Sequence, residues 1–322
     1  MMRVPCASLT EACTPRIYGE QRKAGVAPVV NVPLMLNALR QLFLREAPKV
    51  GAAEPVTLES LLDRGWLELF YQPKIDLRTR RLVGAEGLIR ARHPARGILP
   101  PAAFLPGANE QSLLAMTEYV IRTALRDWEA FAARGTPLKL SVNTPVSALL
   151  TLPLTTMLRE ERPRTANWPG LILEVTEDEI IHDLKLANEV ADNLRNLNCT
   201  LALDDFGAGY SSLARLRQLP FSELKIDRSY AANCHVDRFN AGVCETIVEL
   251  AGRFGLRTVA EGIENNHEAH KLQGMGCELG QGYLFAKPMP KQQLLGIVHQ
   301  RLKPLTTLRS RQASVAARRA RA

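Results

Sequence analysis

The sequence has no long hydrophobic run. No apolar stretch approaches the roughly twenty residues that a helix needs to span a bilayer. The opening residues, Met1-Met-Arg-Val-Pro-Cys, also lack the apolar core of a signal peptide. We therefore expect a cytoplasmic protein without a transmembrane segment.

Cysteine is scarce and is not arranged for metal binding. The chain has 6 cysteines among 322 residues, with no Cys-x-x-Cys pair and no His-Cys metal spacing. A zinc or iron–sulfur centre is therefore not expected. The pattern predicts reduced, mostly buried thiols in a cytosolic protein; the residues are Cys6, Cys13, Cys199, Cys234, Cys244 and Cys277.

Excess positive charge is also lacking once one segment is set aside. The formal net charge is +8, but five of these charges are arginines in residues 304–322, a stretch with no acid, which leaves +3 for the rest. We therefore expect no DNA or RNA binding. The basic tail is predicted to be a disordered, solubilising end, with contact to nucleic acid or an anionic membrane as the alternative.

Eight candidate strands follow a short N-terminal extension. Residues 1–56 hold one plausible helix, Pro33–Arg45, and residues 57–303 are predicted to form the main domain. The predicted strands are Leu67–Lys74, Leu82–Arg90, Leu138–Asn143, Leu171–Thr176, Thr200–Asp205, Glu223–Asp227, Arg257–Glu261 and Leu279–Phe285.

Helical patterns separate most of these strands. They are Thr117–Ala133, Pro145–Glu160, Asp178–Asn196, Ser211–Gln218, Val236–Phe254 and Asn266–Gln273, followed by Lys291–Leu302. Eight strands alternating with helices indicate an α/β fold of the (β/α)8 TIM-like barrel type. The first two strands are joined only by Ile75–Arg81, which is too short for a helical crossover. We therefore expect the first strand to be antiparallel.

Polar residues fall where the predicted strands end. The stretch Thr200 to Ser212 contains a short strand that ends in Asp204 and Asp205 and then enters a glycine-containing turn. Taken alone, this pair could be a turn that caps backbone amides. In a TIM barrel, however, the strand ends converge on one mouth. The residues predicted to meet there are Glu86, Asn143, Glu174, Asp204, Asp205, Lys225, Glu261 and Gln281.

Five carboxylates in one partly buried mouth repel each other, and the single lysine expected there, Lys225, cannot offset them. They must take up protons or bind cations. All the acid and amide ligands are hard oxygen donors, which favours magnesium, manganese or calcium. Asp204 could bridge two ions, a pair suited to phosphoryl chemistry. The residues alone thus predict metal-assisted phosphoester hydrolysis.

A set of phrases resembles the EAL-domain phosphodiesterases of bacteria, which hydrolyse cyclic di-GMP. The resemblance covers about Thr57 to Leu302 and keeps the family's motif order. It implies a barrel with one antiparallel strand, cleavage of cyclic di-GMP to linear pGpG with two Mg²⁺ or Mn²⁺ ions, and a possible homodimer. The phrases are Tyr71-Gln-Pro-Lys74, Gly84-Ala-Glu-Gly-Leu-Ile-Arg90, His93-Pro94, Ser141-Val-Asn143, Leu173-Glu-Val-Thr-Glu177, Asp204-Asp-Phe-Gly-Ala-Gly-Tyr-Ser-Ser-Leu213, Leu224-Lys-Ile-Asp227, Val259-Ala-Glu-Gly-Ile-Glu264 and Gln281-Gly-Tyr283.

The resemblance also implies residue roles. Lys225 matches the lysine that holds the hydrolytic water, and Glu261 is the other candidate base. Gln72 and Arg90 match ligand contacts, and Gln281 supports the second metal site. Glu177 resembles the residue that braces the loop after Asp205, and Glu264 another acid at the mouth. The implied metal ligands are Glu86, Asn143, Glu174, Asp204, Asp205 and Glu261.

Three positions depart from the family pattern. The signature Glu-Ala-Leu reads Glu86-Gly-Leu88, the usual tryptophan after Arg90 is Ala91, and a frequent threonine is Ala208. Because of Gly87 and Ala91, a receptor that binds cyclic di-GMP without cutting it is kept as an alternative. The N-terminal helix and the basic tail support a further alternative, a protein-interaction adaptor. No Gly-Gly-Asp-Glu-Phe loop is present, so synthesis of cyclic di-GMP is not expected.

Overall fold

The structure is a computed structural model, and it describes residues 56–176, 184–207 and 221–298. The predicted helices Pro33–Arg45 and Ser211–Gln218 and the basic tail lie outside the described residues. The division of the chain at residues 56 and 304 therefore stays a prediction.

The described strands form one ten-stranded sheet. Two short strands, β3 and β10, were not predicted, and each adds only an edge pairing. The strands are β1 (Leu67–Asp76), β2 (Leu82–His93), β3 (Gly97–Leu99), β4 (Lys139–Asn143), β5 (Leu171–Thr176), β6 (Cys199–Phe206), β7 (Phe221–Ile226), β8 (Arg257–Ala260), β9 (Leu279–Gly280) and β10 (Met289–Pro290).

The other eight strands close into a barrel. Strand β1 pairs with β2 on one side and β9 on the other, both antiparallel. The pairings from β2 through β4, β5, β6, β7 and β8 to β9 are all parallel. The predicted (β/α)8 barrel with an antiparallel first strand is confirmed.

A tight turn explains the reversed first strand. The Asp76 carboxylate accepts a hydrogen bond from the backbone N–H of Thr79 at 2.6 Å, and Arg80 has a left-handed backbone with φ 59°. Such a turn returns the chain alongside itself within a few residues. The two strands it joins must therefore run in opposite directions.

Helices follow most of the parallel strands, as the alternating pattern predicted. None of the described helices is both long and apolar enough to cross a bilayer. The helices are α1 (Leu58–Asp63), α2 (Glu110–Ala133), α3 (Val146–Thr151), α4 (Leu154–Glu161), α5 (Leu184–Arg195), α6 (Arg228–Ala231), α7 (Arg238–Phe254), α8 (Asn266–Met275) and α9 (Lys291–Ile297), with a 3₁₀ turn at Pro101–Ala103.

Several predicted elements differ in extent. Helix α2 begins at Glu110 rather than at Thr117, and β8 ends one residue before Glu261. The single helix expected over 145–160 is split into α3 and α4 at Pro153, and Leu152 before it is extended with ψ 145° because the proline ring disfavours a helical residue in front of it. The last barrel strand is shorter than predicted and stops at Gly280, since at Gly282 the chain passes so close to the Ile263 backbone that a Cβ would lie 2.2 Å from its carbonyl oxygen.

The core lies between the barrel and its helices. Strand β5 is buried along its whole length, as expected for a parallel strand covered on both faces. Asn109 caps the amino terminus of helix α2, where its side chain accepts from the Ser112 N–H, and the helix buries Trp128 and Phe131. A fully buried side chain of this size contributes about 1.5–3 kcal/mol, so this layer anchors the helix on the barrel.

Candidate metal centre

The predicted site residues meet at the carboxyl-terminal end of the barrel. Arg228 and Tyr283, to which the sequence analysis assigned no role, also line this cleft. Glu174 and Lys225 lie buried below it, and Glu177 lies outside the described residues. The predicted residues that line the cleft are Gln72, Glu86, Arg90, Asn143, Asp204, Asp205, Glu261, Glu264 and Gln281.

Lys225 lies at the centre of the carboxylate group. It is 1% exposed, and its Nζ lies 2.7 Å from Glu261 Oε1, 2.8 Å from Glu174 Oε2 and 3.0 Å from Asp204 Oδ2. The Glu86 carboxylate is 3.7 Å from the same nitrogen. Four acids from four different strands or strand ends therefore surround one ammonium group.

Three amide side chains fix the other side of the centre. Asn143 Nδ2 donates to Glu86 Oε1 at 2.9 Å, and Gln281 Nε2 donates to Glu86 Oε2 at 2.5 Å. Gln281 Nε2 also donates to Gln72 Oε1 at 3.0 Å. These bonds hold the Glu86 carboxylate in one orientation.

Asp204, Asp205 and Glu261 form the tightest acidic group. Each offers a carboxylate oxygen, and these oxygens all lie within 4.8 Å of one another. Asp205 adopts the left-handed region with φ 55°, which is uncommon outside glycine. Its N–H donates to Asp204 Oδ1 at 2.8 Å, so the turn keeps the two adjacent carboxylates at one strand end.

Two oxygens suited to a cation are buried without a hydrogen-bond donor. Asn143 Oδ1 and Gln281 Oε1 have no partner among the described residues. A buried amide oxygen normally has one, because leaving it unsatisfied costs about 1–3 kcal/mol. The donors are all hard oxygens, and the group fits magnesium, manganese or calcium. The described residues thus form a buried acidic cluster that suits a divalent cation.

The pKa values of three acids at and beneath the mouth are strongly shifted. Burial, together with neighbouring carboxylates and against the opposing effect of Lys225, raises the pKa of Glu86 to about 7. Burial likewise holds the pKa of Asp204 well above its usual range despite Lys225. Glu174 is the exception: burial would raise its pKa, but Lys225 and Lys74 outweigh burial and lower it. Part of the negative charge at the mouth is thus uncompensated by lysine.

The structure adds a lysine that sequence reasoning missed. Lys74 is 2% exposed, and its Nζ donates to Glu174 Oε1 at 2.8 Å and to Glu223 Oε2 at 3.2 Å. Two lysines therefore reach the carboxylate group, not one. The signal was available: Lys74 is two residues after Gln72 on β1, so both side chains project from the same face of the strand.

The departures from the family pattern lie mostly on the other face of β2. Ala91 is fully buried in the hydrophobic core and does not line the cleft, so its replacement of tryptophan changes packing rather than the cleft wall. A Cβ at Gly87 would lie 3.1 Å from Val142 Cγ1. Ala208 lies outside the described residues.

Two histidines and four cysteines of the described residues make structural contacts outside the cleft. His93 Nδ1 accepts from the N–H groups of Ala95 and Arg96, so it stabilises a turn. His267 stacks on His235 with ring centroids 5.4 Å apart, away from the cleft residues. The cysteines at 199, 234, 244 and 277 are buried and free, as predicted.

Fold and site together define a (β/α)8 barrel with a buried acidic cluster at its mouth that suits a divalent cation. The family model for the EAL domain matches residues 56–288. The chain therefore belongs to the EAL domain family.

Individual relatives agree with this assignment. Cyclic di-GMP phosphodiesterase PA2567 of Pseudomonas aeruginosa is 38% identical over 228 residues, which cover 70% of this chain and 39% of that protein. Cyclic di-GMP phosphodiesterase RocR of the same species is 35% identical over 264 residues, which cover 80% of this chain and 67% of RocR. The chain thus spans about two fifths of the first relative's length.

A solved structure has the same fold. The PaMucR phosphodiesterase in complex with c-di-GMP is 34% identical and superposes with a TM-score of 0.68, covering 74% of this chain and 97% of that one.

Proposed function

We propose that this protein hydrolyses cyclic di-GMP to linear pGpG with Mg²⁺ or Mn²⁺ bound at the mouth of the barrel. The observation that carries the proposal is the convergence of hard oxygen donors, including the partnerless Asn143 Oδ1, around the buried Lys225 ammonium. The proposed substrate is taken from the names of the relatives, and the proposed reaction is argued from the residues at the mouth.

Six side chains would hold two cations in this proposal. They share oxygen donors, burial or half-burial, and positions on barrel strands or directly after them; they are Glu86, Asn143, Glu174, Asp204, Asp205 and Glu261. Bound cations would lower the pKa of a water and neutralise charge on the phosphate oxygens. Asp204 is central because it contacts Lys225 and belongs to the tight acidic group.

Lys225 would hold the attacking water and relay its proton. The ammonium would pass one of its own protons to a neighbouring carboxylate and take up the proton of the water in its place. Its Nζ is within 3.0 Å of Glu174, Asp204 and Glu261, so a water displacing one of these contacts would meet a donor already oriented by the others. Glu261 accepts from the same nitrogen, and it is the alternative base.

The cleft wall would bind the phosphodiester. Arg90 lines the cleft, and a guanidinium can donate two parallel hydrogen bonds to a phosphate. Gln72 is anchored by donating to the Ala286 carbonyl at 3.1 Å, which leaves its amide oxygen facing Gln281. Glu264 pairs with Arg228 at 2.6 Å at the rim, where it would brace the entrance; Glu177 is proposed as a brace for the loop after Asp205.

The test is product analysis with purified full chain. Incubation with cyclic di-GMP and Mn²⁺ or Mg²⁺, followed by chromatography, is expected to yield pGpG, and excess EDTA is expected to stop the reaction. Recovery of intact nucleotide with either metal, together with tight binding by calorimetry, would replace the enzyme with a receptor. Sedimentation of the same sample measures the predicted homodimer.

A further inference from the structure

A second ion group lies beneath the metal centre. Glu223 precedes Lys225 by two residues on β7, so both side chains project into the barrel, with Glu223 nearer the amino-terminal end of the strand. Glu223 is 2% exposed and pairs with Lys74 at 3.2 Å and Arg257 at 2.5 Å. We call Lys74, Glu223 and Arg257 the lower ion group.

The contacts of the lower ion group run from the amino-terminal end of the parallel strands to Glu174, one of the proposed cation ligands. Arg257, the first residue of β8, is the register partner of Glu223 and has a 43% exposed side chain. From there the contacts run inward through Glu223 and Lys74 to Glu174. None of these three residues lines the cleft.

The two oxygens of the Glu174 carboxylate accept hydrogen bonds from two different lysines. Oε1 accepts from Lys74 at 2.8 Å, and Oε2 accepts from Lys225 at 2.8 Å. The carboxylate is fully buried, so no solvent can replace the donor on Oε1. With Oε1 held from below, Oε2 is directed at the mouth.

We propose that Lys74, anchored by Glu223 and Arg257, is a positioning residue that orients Glu174 and thereby sets the affinity of the mouth for divalent cations. The inference rests on the proposed function for its metal centre. Groups that orient a metal ligand from behind are worth about 10- to 100-fold in metal affinity in other proteins.

Electrostatics alone predicts the opposite change in cation affinity, so the sign of the change distinguishes the two explanations. Removing a lysine near the centre removes positive charge, and charge alone would then tighten cation binding. If orientation dominates, the same substitution weakens binding, because Glu174 loses its only donor on Oε1 among the described residues. The sign of the change decides between the two.

The experiment is a calorimetric titration of the metal-free full chain with Mn²⁺, alongside its thermal melting temperature. For Lys74→Met we expect an Mn²⁺ affinity at least tenfold weaker than the parent. At saturating Mn²⁺ we expect turnover of cyclic di-GMP to recover to within about threefold, because the residue acts through the metal. Lys271→Met, which removes a surface lysine paired with Glu245 at 3.4 Å, is the matched control and should change neither.

A double variant separates positioning from folding. Lys74→Met leaves Glu223 buried with less compensation and could destabilise the chain for that reason alone. Lys74→Met/Glu223→Gln removes both charges, so we expect its melting temperature to return toward the parent while its Mn²⁺ affinity stays at least tenfold weaker. The inference is overturned if the double variant binds Mn²⁺ with an affinity within threefold of the parent, or if either variant binds Mn²⁺ more tightly than the parent. It is also overturned if the parent binds no Mn²⁺. A parent that binds Mn²⁺ but leaves cyclic di-GMP intact refutes the proposed function instead, because the titration does not depend on turnover.

Discussion

The mouth of the barrel and the lower ion group have opposite charge balances. At the mouth and just beneath it, Glu86, Glu174, Asp204 and Glu261 surround Lys225. Asp205 adds a fifth carboxylate beside Asp204 and Glu261, and Lys74 reaches Glu174 from below. In the lower ion group, one carboxylate lies between a lysine and an arginine. The difference shows that burial alone does not create an acid-rich site. The lower group carries its own compensation, whereas the mouth holds more acids than its lysines can balance, as a cation site would.

The largest expected effect on turnover comes from removing a negative charge at the mouth. We expect Asp204→Asn to lower turnover on the order of 1,000-fold, because the oxygen shared between the tight acidic group and Lys225 loses its charge. The far-ultraviolet circular dichroism spectrum should match the parent, since the substitution relieves repulsion between buried acids. Rates come from chromatography of pGpG, and a parent-like rate would refute the site assignment.

The second prediction removes the cation at the mouth. Lys225→Met should reduce turnover on the order of 100-fold through loss of the proton carrier, while cyclic di-GMP still binds. The melting temperature of the metal-free protein should also fall, because four carboxylates lose their common partner. Calorimetry and thermal melting measure these effects, and full activity in this variant would eliminate Lys225 from the reaction.

The third prediction uses pH. Burial raises the pKa of Glu86 to about 7 and that of Asp204 well above its usual range. As pH rises from about 4.5 to 7, the unfolded chain releases these protons while the metal-free folded protein retains them, so folding stability is lost across this window. Bound Mg²⁺ would compensate the ionised acids. The Mg²⁺-induced rise in melting temperature should therefore be larger at pH 8 than at pH 5.5, and an equal rise at both would contradict a cation role for these acids.

The smallest effects come from glycines of β2. A Cβ at Gly84 would lie 2.6 Å from the Lys139 carbonyl oxygen, whereas one at Gly87 would lie 3.1 Å from a Val142 methyl group. We expect Gly84→Ala to cost about 1–3 kcal/mol in the free energy of unfolding. Gly87→Ala, which restores the family signature, should cost about 1 kcal/mol or less and leave turnover within about threefold.

A helical glycine is the control for both substitutions. A Cβ at Gly242 in α7 would meet nothing within 4 Å, so Gly242→Ala should stabilise the protein by about 0.5–1 kcal/mol. Chemical denaturation gives all three values. A large loss of turnover in Gly87→Ala with normal stability would show that the glycine itself serves the reaction.

The sequence was informative about the mouth because strand ends are visible in a sequence. Asp204 and Asp205 follow an apolar run directly, and in a barrel of parallel strands such ends converge. The reversed first strand followed from the short Ile75–Arg81 connection. Lys74 was missed although its two-residue spacing from Gln72 places it inside the barrel.

The contacts of the lower ion group could not have been predicted in the same way. The pairing of Glu223 with Arg257 depends on the register between β7 and β8, which strand patterns do not specify. The stop of β9 at Gly280 depends on the close approach of Gly282 to the Ile263 backbone, a tertiary contact. The break at Pro153 was visible in the sequence but was overridden by the helical pattern around it.

The most direct measurement is the binding of Mn²⁺ to the metal-free chain, with the parent and Asp204→Asn titrated side by side. Our account predicts saturable binding of two ions per chain in the parent and a loss of that binding in the variant. No saturable binding by the parent, or an unchanged isotherm for Asp204→Asn, would contradict it.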